Sequence, residues 1–248
     1  MKEQLRPYVK IFGLALLVAG GIFITTARNS VPEAEDLKAS SGTSGASLEV
    51  AKPSELPTIG KWSISADGTP AHWLGESYHN KSLREPVNVI LVDDLATSAE
   101  DAKSRVVAAA KLAGYPIREG HSAGYQAMIG GDRYGQLPSG NDHAFSNAPF
   151  ELNNNHGRIF GPHRIGRSWV FTAAFSRENV APMGTPKHRY RSFNQARDDF
   201  TQKMDQFTAF KIVRFVELDN AILGNAAATT GDHDGIGVML KVRADTNL

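Results

Sequence analysis

Residues 120–124 read GHSAG and match the pattern G-x-S-x-G. In α/β-hydrolases such a pentapeptide makes a strained turn between a buried strand and a helix, and it presents the serine as a nucleophile. Ser122 would be that nucleophile, with Asp219 or Asp232 and then His233 completing the order Ser–Asp–His. The flanks point the other way. Residues 116–119 (PIRE) are short and charged for a central strand, and Gly130 and Gly131 leave little room for a following helix. The expectation is a turn that happens to match.

A second group is His143 beside Asp142, then His156, His163 and His188, then residues 232–234 (DHD) in a loop flanked by glycine. Neutral imidazoles and carboxylates on separated loops can hold zinc or another divalent ion. Neither H-x-x-x-H nor H-E-x-x-H spacing occurs, so no metal is assigned; DHD is read as a turn before the last strand. Residues 153–155 (NNN) are read as a turn as well.

The third group is a run of charge. Between His156 and Arg191 lie Arg158, Arg164, Arg167, Arg177, Lys187, Arg189 and Arg191, against the single acid Glu178. The chain as a whole carries a net charge of +1. Guanidinium forks suit phosphate and carboxylate.

The absence of cysteine excludes a thiol nucleophile, cysteine-bound zinc, iron–sulfur clusters and disulfides. Residues 11–27 (IFGLALLVAGGIFITTA) carry no charge, and Lys2, Arg6 and Lys10 precede them. As a helix they would span about 26 Å, close to the hydrocarbon thickness of a bilayer. The positive charges place the N-terminus in the cytoplasm and the rest outside. The same run could be a cleaved signal segment, with Thr25 and Ala27 at the −3 and −1 positions; the anchor is favoured. The expected organisation is therefore an anchor at 1–28, a flexible linker at 29–57 and one soluble domain at 58–248. The linker is rich in Ser, Gly, Pro, Ala and Glu and has no aromatic residue.

Within the domain, residues 87–92 (VNVILV) predict a buried strand. Thr97 and Glu100 predict a capping box opening a helix that Gly114 stops. Residues 168–176 (SWVFTAAFS) predict a strand in which Trp169, Phe171, Ala173 and Phe175 face one way, joined by a turn at 164–167 to a strand around 156–160. A second helix opens at Ser192 with Gln195. Phe193, Ala196, Phe200, Met204 and Phe207 form its apolar stripe, and Asp199 and Lys203 form an exposed pair. Residues 210–218 and 236–242 predict two more strands. The sum is an α/β or α+β domain: a mixed sheet of about five to six strands with at least two helices.

Three stretches resemble the LssY C-terminal-like domain family of bacterial envelope proteins. Residues 85–92 (EPVNVILV) with the helix ending in AGY at 113–115 are similar to its opening block. Residues 155–160 (NHGRIF) and 167–174 (RSWVFTAA) resemble its hairpin. Residues 187–190 (KHRY) and 195–199 (QARDD) resemble its closing block. This chain has one histidine where the family pattern has two, at His156 and again at His188, and it has Phe160 in place of Trp. The resemblance implies an envelope location and a shared fold. The family is linked to membrane-embedded phosphatase-like segments or to transport, and this chain has no such membrane bundle.

The favoured function is a membrane-anchored extracytoplasmic accessory domain, on the outer side of the inner membrane, that contacts an anionic lipid or an envelope protein. Arg158, Arg164, Arg167, Arg189 and Arg191 would make the contact, with His156 and His188 beside them. The alternative is a hydrolase acting on an ester or phosphoester through Ser122 with His233, or through a His/Asp metal site. No cofactor is expected, and the exported location removes nucleic acid as a partner.

Overall fold

A computed structural model describes residues 56–139, 142–180 and 188–244. The expected anchor, and the linker up to residue 55, lie outside the described residues. Among the described residues no helix is long and apolar enough to cross a membrane.

Most strands join one ten-stranded sheet. Its path begins at β11 (Phe210–Glu217) and passes through β13 (Ile236–Val242), β3 (Val89–Asp93), β9 (Ser168–Val180) and β8 (Asn154–Ile165). It ends at β6 (Asp132–Leu137) and β5 (Gln126–Ile129). β10 (His188–Ser192) pairs with β9, β7 (Ala144–Ser146) with β8, and β4 (Ile117–Arg118) with β7. Within this sheet only β13 and β3 run parallel. A small second sheet holds β1 (His72–Tyr78), β2 (Lys81–Arg84) and β12 (Ala228–Thr229). The sheet is larger than the five or six strands expected. The additional strands are short or polar, and they take their pairing from neighbours rather than from an apolar pattern of their own.

The central strand β3 is buried at every position. Its side chains alternate, so two cores form. On one face Val89 and Leu91 meet Ile159, Phe171, Ala173, Phe175, Val238 and Leu240 beneath two helices, α1 (Ala99–Leu112) and α2 (Phe193–Phe207). α1 brings Ala102, Val106, Ala109 and Ala110, small side chains that let it lie close to the sheet. α2 brings Ala196, Phe200 and Met204. Phe175 stacks on Phe200 at 3.9 Å. Gly157 on β8 makes this stack possible, because a Cβ there would strike the Phe175 ring and come within 2.6 Å of the Ala174 carbonyl oxygen. On the opposite face Ile90, Val92, Val170 and Met239 pack with Leu56, Ile59 and Ile129.

The expected hairpin is present but longer at both ends. β8 and β9 pair from Asn154↔Glu178 to Ile165↔Ser168. The alternation expected along β9 holds: Trp169, Phe171, Ala173 and Phe175 face the core beneath the helices and Val170 faces the other core. Three local expectations need correction. Ser98, not Thr97, caps α1: its hydroxyl accepts from the Asp101 amide, while Thr97 donates back to Asp101. The box sits one residue later because Asp101, rather than Glu100, reaches the exposed amide. Asp199 and Lys203 do pair, at 3.0 Å, but Asp199 is buried. It also accepts from Tyr115 at 2.5 Å and from Asn155 at 3.1 Å, so it ties α2 to the sheet. Phe207, in the last turn of α2, is 56 % exposed and lies outside the stripe.

Candidate metal centre

The same alternation on β8 and β9 builds a polar cluster on the face away from the helices. Asn155, Gly157 and Ile159 turn toward α1 and α2, so Asn154, His156 and Arg158 turn to the other side. Across the hairpin His156 faces Ser176 and Asn154 faces Glu178. β10 closes one flank, with Tyr190 opposite Glu178 and His188 opposite Val180. His121 arrives from the loop after β4. Its backbone amide donates to the Asp142 carbonyl. Preceding it, Gly120 has a φ of +92° and passes so close to Phe150 that a Cβ would lie 2.8 Å from the ring. Only glycine satisfies both demands.

His121, His156 and Glu178 each offer a ligand atom within 4.8 Å of the other two, and all three side chains are buried. The His121 and His156 rings stack at 4.6 Å. His188 Nδ1 lies 2.8 Å from Glu178 Oε1, and the His188 ring stacks on Phe150 at 3.8 Å. One amide orients two of these groups. The Asn154 Nδ2 donates to Glu178 Oε1 at 2.8 Å, and its Oδ1 lies 3.0 Å from His156 Nδ1. With an oxygen as partner, His156 Nδ1 carries the proton in this assignment, which leaves Nε2 bare. The nearest partner of Nε2 is the Ser176 hydroxyl at 3.5 Å, the outer limit of a hydrogen bond. That hydroxyl accepts from the Trp73 indole N–H at 3.2 Å. Among the described residues His121 Nε2 and His188 Nε2 are buried with no hydrogen-bond partner, while His188 Nδ1 has the Glu178 carboxylate beside it.

Protonation follows from burial and neighbours. Burial, then the adjacent His156, lowers the His121 imidazole to about 3. Burial likewise lowers His156 to about 4. Burial works to raise the Glu178 carboxyl, but His156, His188 and Asn154 outweigh it and hold it at about 2. Near neutral pH the cluster therefore offers two uncharged imidazoles and an ionised carboxylate, the forms that bind a divalent transition metal. Donors around a tetrahedral ion of this kind stand about 3.4 Å apart, so a pair as wide as 4.8 Å would close by more than an ångström on binding.

No family model, curated protein or solved structure matches this chain. The chemistry is therefore read from the geometry alone.

The other expected site residues do not converge here as a group. Ser122 is exposed and is followed by the strand β5 rather than a helix, so no nucleophile turn forms. Its hydroxyl lies 3.0 Å from the Tyr125 hydroxyl and from Arg158 Nη2, with no imidazole as base. His233 is buried against Asn220 at 2.8 Å. Asp232 serves the start of α2, accepting from the Phe193 amide at 2.8 Å and from Tyr190 and Ser192. Asp219 pairs with Lys61 at 2.6 Å. The Ser–Asp–His set is not assembled. His143 lies 3.7 Å from Glu119, and His163 bonds Tyr134 at 2.8 Å.

The arginines divide. Arg164 and Arg167 flank the turn of the long hairpin, while Arg189 and Arg191 ride on β10 beside its other end. The β9 partners of Arg164 and Arg189 are Trp169 and Asn179, about 30 Å apart along a strand. Only Arg158, His156 and His188 of the expected binding residues belong to the polar cluster. His121 and Glu178 went unassigned in the sequence. The signal for Glu178 was the alternation N-x-H-x-R on β8 against S-x-E on β9, which a longer hairpin would have revealed; His121, in a loop, had none.

Proposed function

We propose that this chain is a metal-binding domain of the bacterial cell envelope, with a divalent transition metal held by His121, His156 and Glu178 and with His188 at the carboxylate. One observation carries the reading: three ionisable donors converge within 4.8 Å in a buried site, and among the described residues His121 Nε2 has no hydrogen-bond partner there. Burying a polar nitrogen without a hydrogen bond costs about 1–3 kcal/mol, a cost that coordination removes. Two imidazoles and a carboxylate suit zinc, and equally iron or manganese in an open three-ligand arrangement. The apolar run at 11–27 and the LssY-like motifs support placement outside the inner membrane, with that run as anchor.

The test is metal stoichiometry. The full-length chain, stripped with a chelator and dialysed against micromolar zinc, should retain one ion per chain. The double variant His121→Gln, His156→Gln should retain none while remaining folded by circular dichroism. A wild-type chain that keeps no zinc, iron or manganese would overturn the proposal.

A further inference from the structure

We infer that Arg158 and the metal together form a subsite for a phosphate-class oxyanion. This rests on the metal reading and adds the ligand to it. Arg158 is 4 % exposed. It stands two residues from His156 on the same face of β8, about 7 Å along the strand. Among the described residues no carboxylate oxygen lies within 4.0 Å of its guanidinium. Its Nε and Nη2 bind neutral oxygens instead: the Ser122 carbonyl at 3.2 and 2.6 Å, and the Ser122 hydroxyl at 3.0 Å. The guanidinium also lies 4.2 Å over the Tyr125 ring. Glu85, the acid it influences from farther off, is itself pushed up by burial.

A buried cation without an ion-pair partner is costly, and an anionic ligand relieves that cost. The Ser122 contacts leave Nη1 to donate to such a ligand. Charge selects the class. A divalent ion, Arg158 and the Glu178 carboxylate sum to +2. The dianion of a phosphate monoester balances this near neutral pH, whereas a carboxylate leaves it half compensated. One phosphoryl oxygen would take an open position on the metal and another would meet the guanidinium. The phosphate can belong to a soluble monoester or to a lipid headgroup.

The experiment uses the full-length chain in two steps. Zinc stoichiometry is measured first, and glycerol phosphate is then titrated calorimetrically into zinc-loaded and metal-free protein. Binding should be at least tenfold tighter with zinc, and acetate should bind at least tenfold more weakly than the phosphate. Arg158→Met should keep one zinc and lose tenfold or more in phosphate affinity; Arg158→Lys should recover part of it. Vesicles containing phosphatidic acid supply the lipid arm. Capture that free glycerol phosphate competes away identifies a headgroup ligand, and binding of the soluble monoester alone identifies a soluble one. Zinc loading with no preference for phosphate overturns this inference and leaves the metal centre standing. Loss of zinc by both Arg158 variants makes Arg158 a brace for the His121 loop and also overturns it. A wild-type chain that does not load zinc overturns both readings.

Discussion

Replacing Asn154 with alanine removes a single amide that serves two donors of the cluster. The side chain donates to Glu178 Oε1 at 2.8 Å and lies 3.0 Å from His156 Nδ1 as acceptor. A hydrogen bond to a charged carboxylate is worth about 1.5–3 kcal/mol and one to a neutral ring about 1 kcal/mol. Asn154→Ala should therefore destabilise the metal-free protein by about 2–4 kcal/mol. Groups that orient metal ligands typically govern about 10–100-fold in affinity. Zinc affinity, measured by competition with a chromophoric chelator at pH 7, should fall within that range. Asn154→Asp separates the two roles. It keeps an acceptor for the imidazole N–H but sets a second carboxylate beside Glu178, so stability should fall while zinc is still bound. If Asn154→Ala leaves both urea stability and zinc affinity unchanged, the reasoning that Asn154 positions a metal site is refuted.

Two further outcomes follow from the same packing. His121, His156 and His233 are each lowered in the fold, to about 3, 4 and 4, by burial first. Below the unfolded value near 6.5 the unfolded chain takes up protons that the folded chain refuses, so this stability is present above pH 6.5 and is lost as pH falls toward 4. Between pH 7 and pH 5 each imidazole withdraws about 2 kcal/mol, about 6 kcal/mol for the three; urea unfolding of chelator-treated protein that does not change over this interval contradicts the burial argument. Gly157→Ala should cost about 1–3 kcal/mol by overpacking, since the new methyl must displace Phe175 from its stack on Phe200. Thermal unfolding checks this, and a neutral substitution would mean that the hairpin and α2 separate more easily than their contacts imply.

The parts of the fold that were legible in the sequence are those with strong periodicity. The helix opened by Ser192, the apolar strand before α1 and the alternating face of β9 all have a long apolar signal. The short strands β4, β7 and β12 do not, and they exist because a neighbour supplies their hydrogen bonds. The cluster was half legible for a related reason. His156 and His188 stood out by type. Glu178 looked like a lone acid among arginines, and Asn154 looked like part of a turn, because β8 and β9 extend past their apolar residues. His121 was concealed in a hydrolase-like pentapeptide whose glycines serve a different purpose. Gly120 makes room for Phe150 and turns the loop that delivers the imidazole. The arginine run looked like one surface only because sequence distance hid the length of the hairpin.

X-ray absorption at the zinc edge, on the full-length chain loaded with one equivalent, addresses the central claim most directly. The expected spectrum has nitrogen and oxygen neighbours at about 2.0–2.2 Å, with the outer-shell scattering of at least two imidazoles. His156→Gln should remove one imidazole from that signal. A zinc spectrum with oxygen neighbours only, unchanged by His156→Gln, would contradict the account.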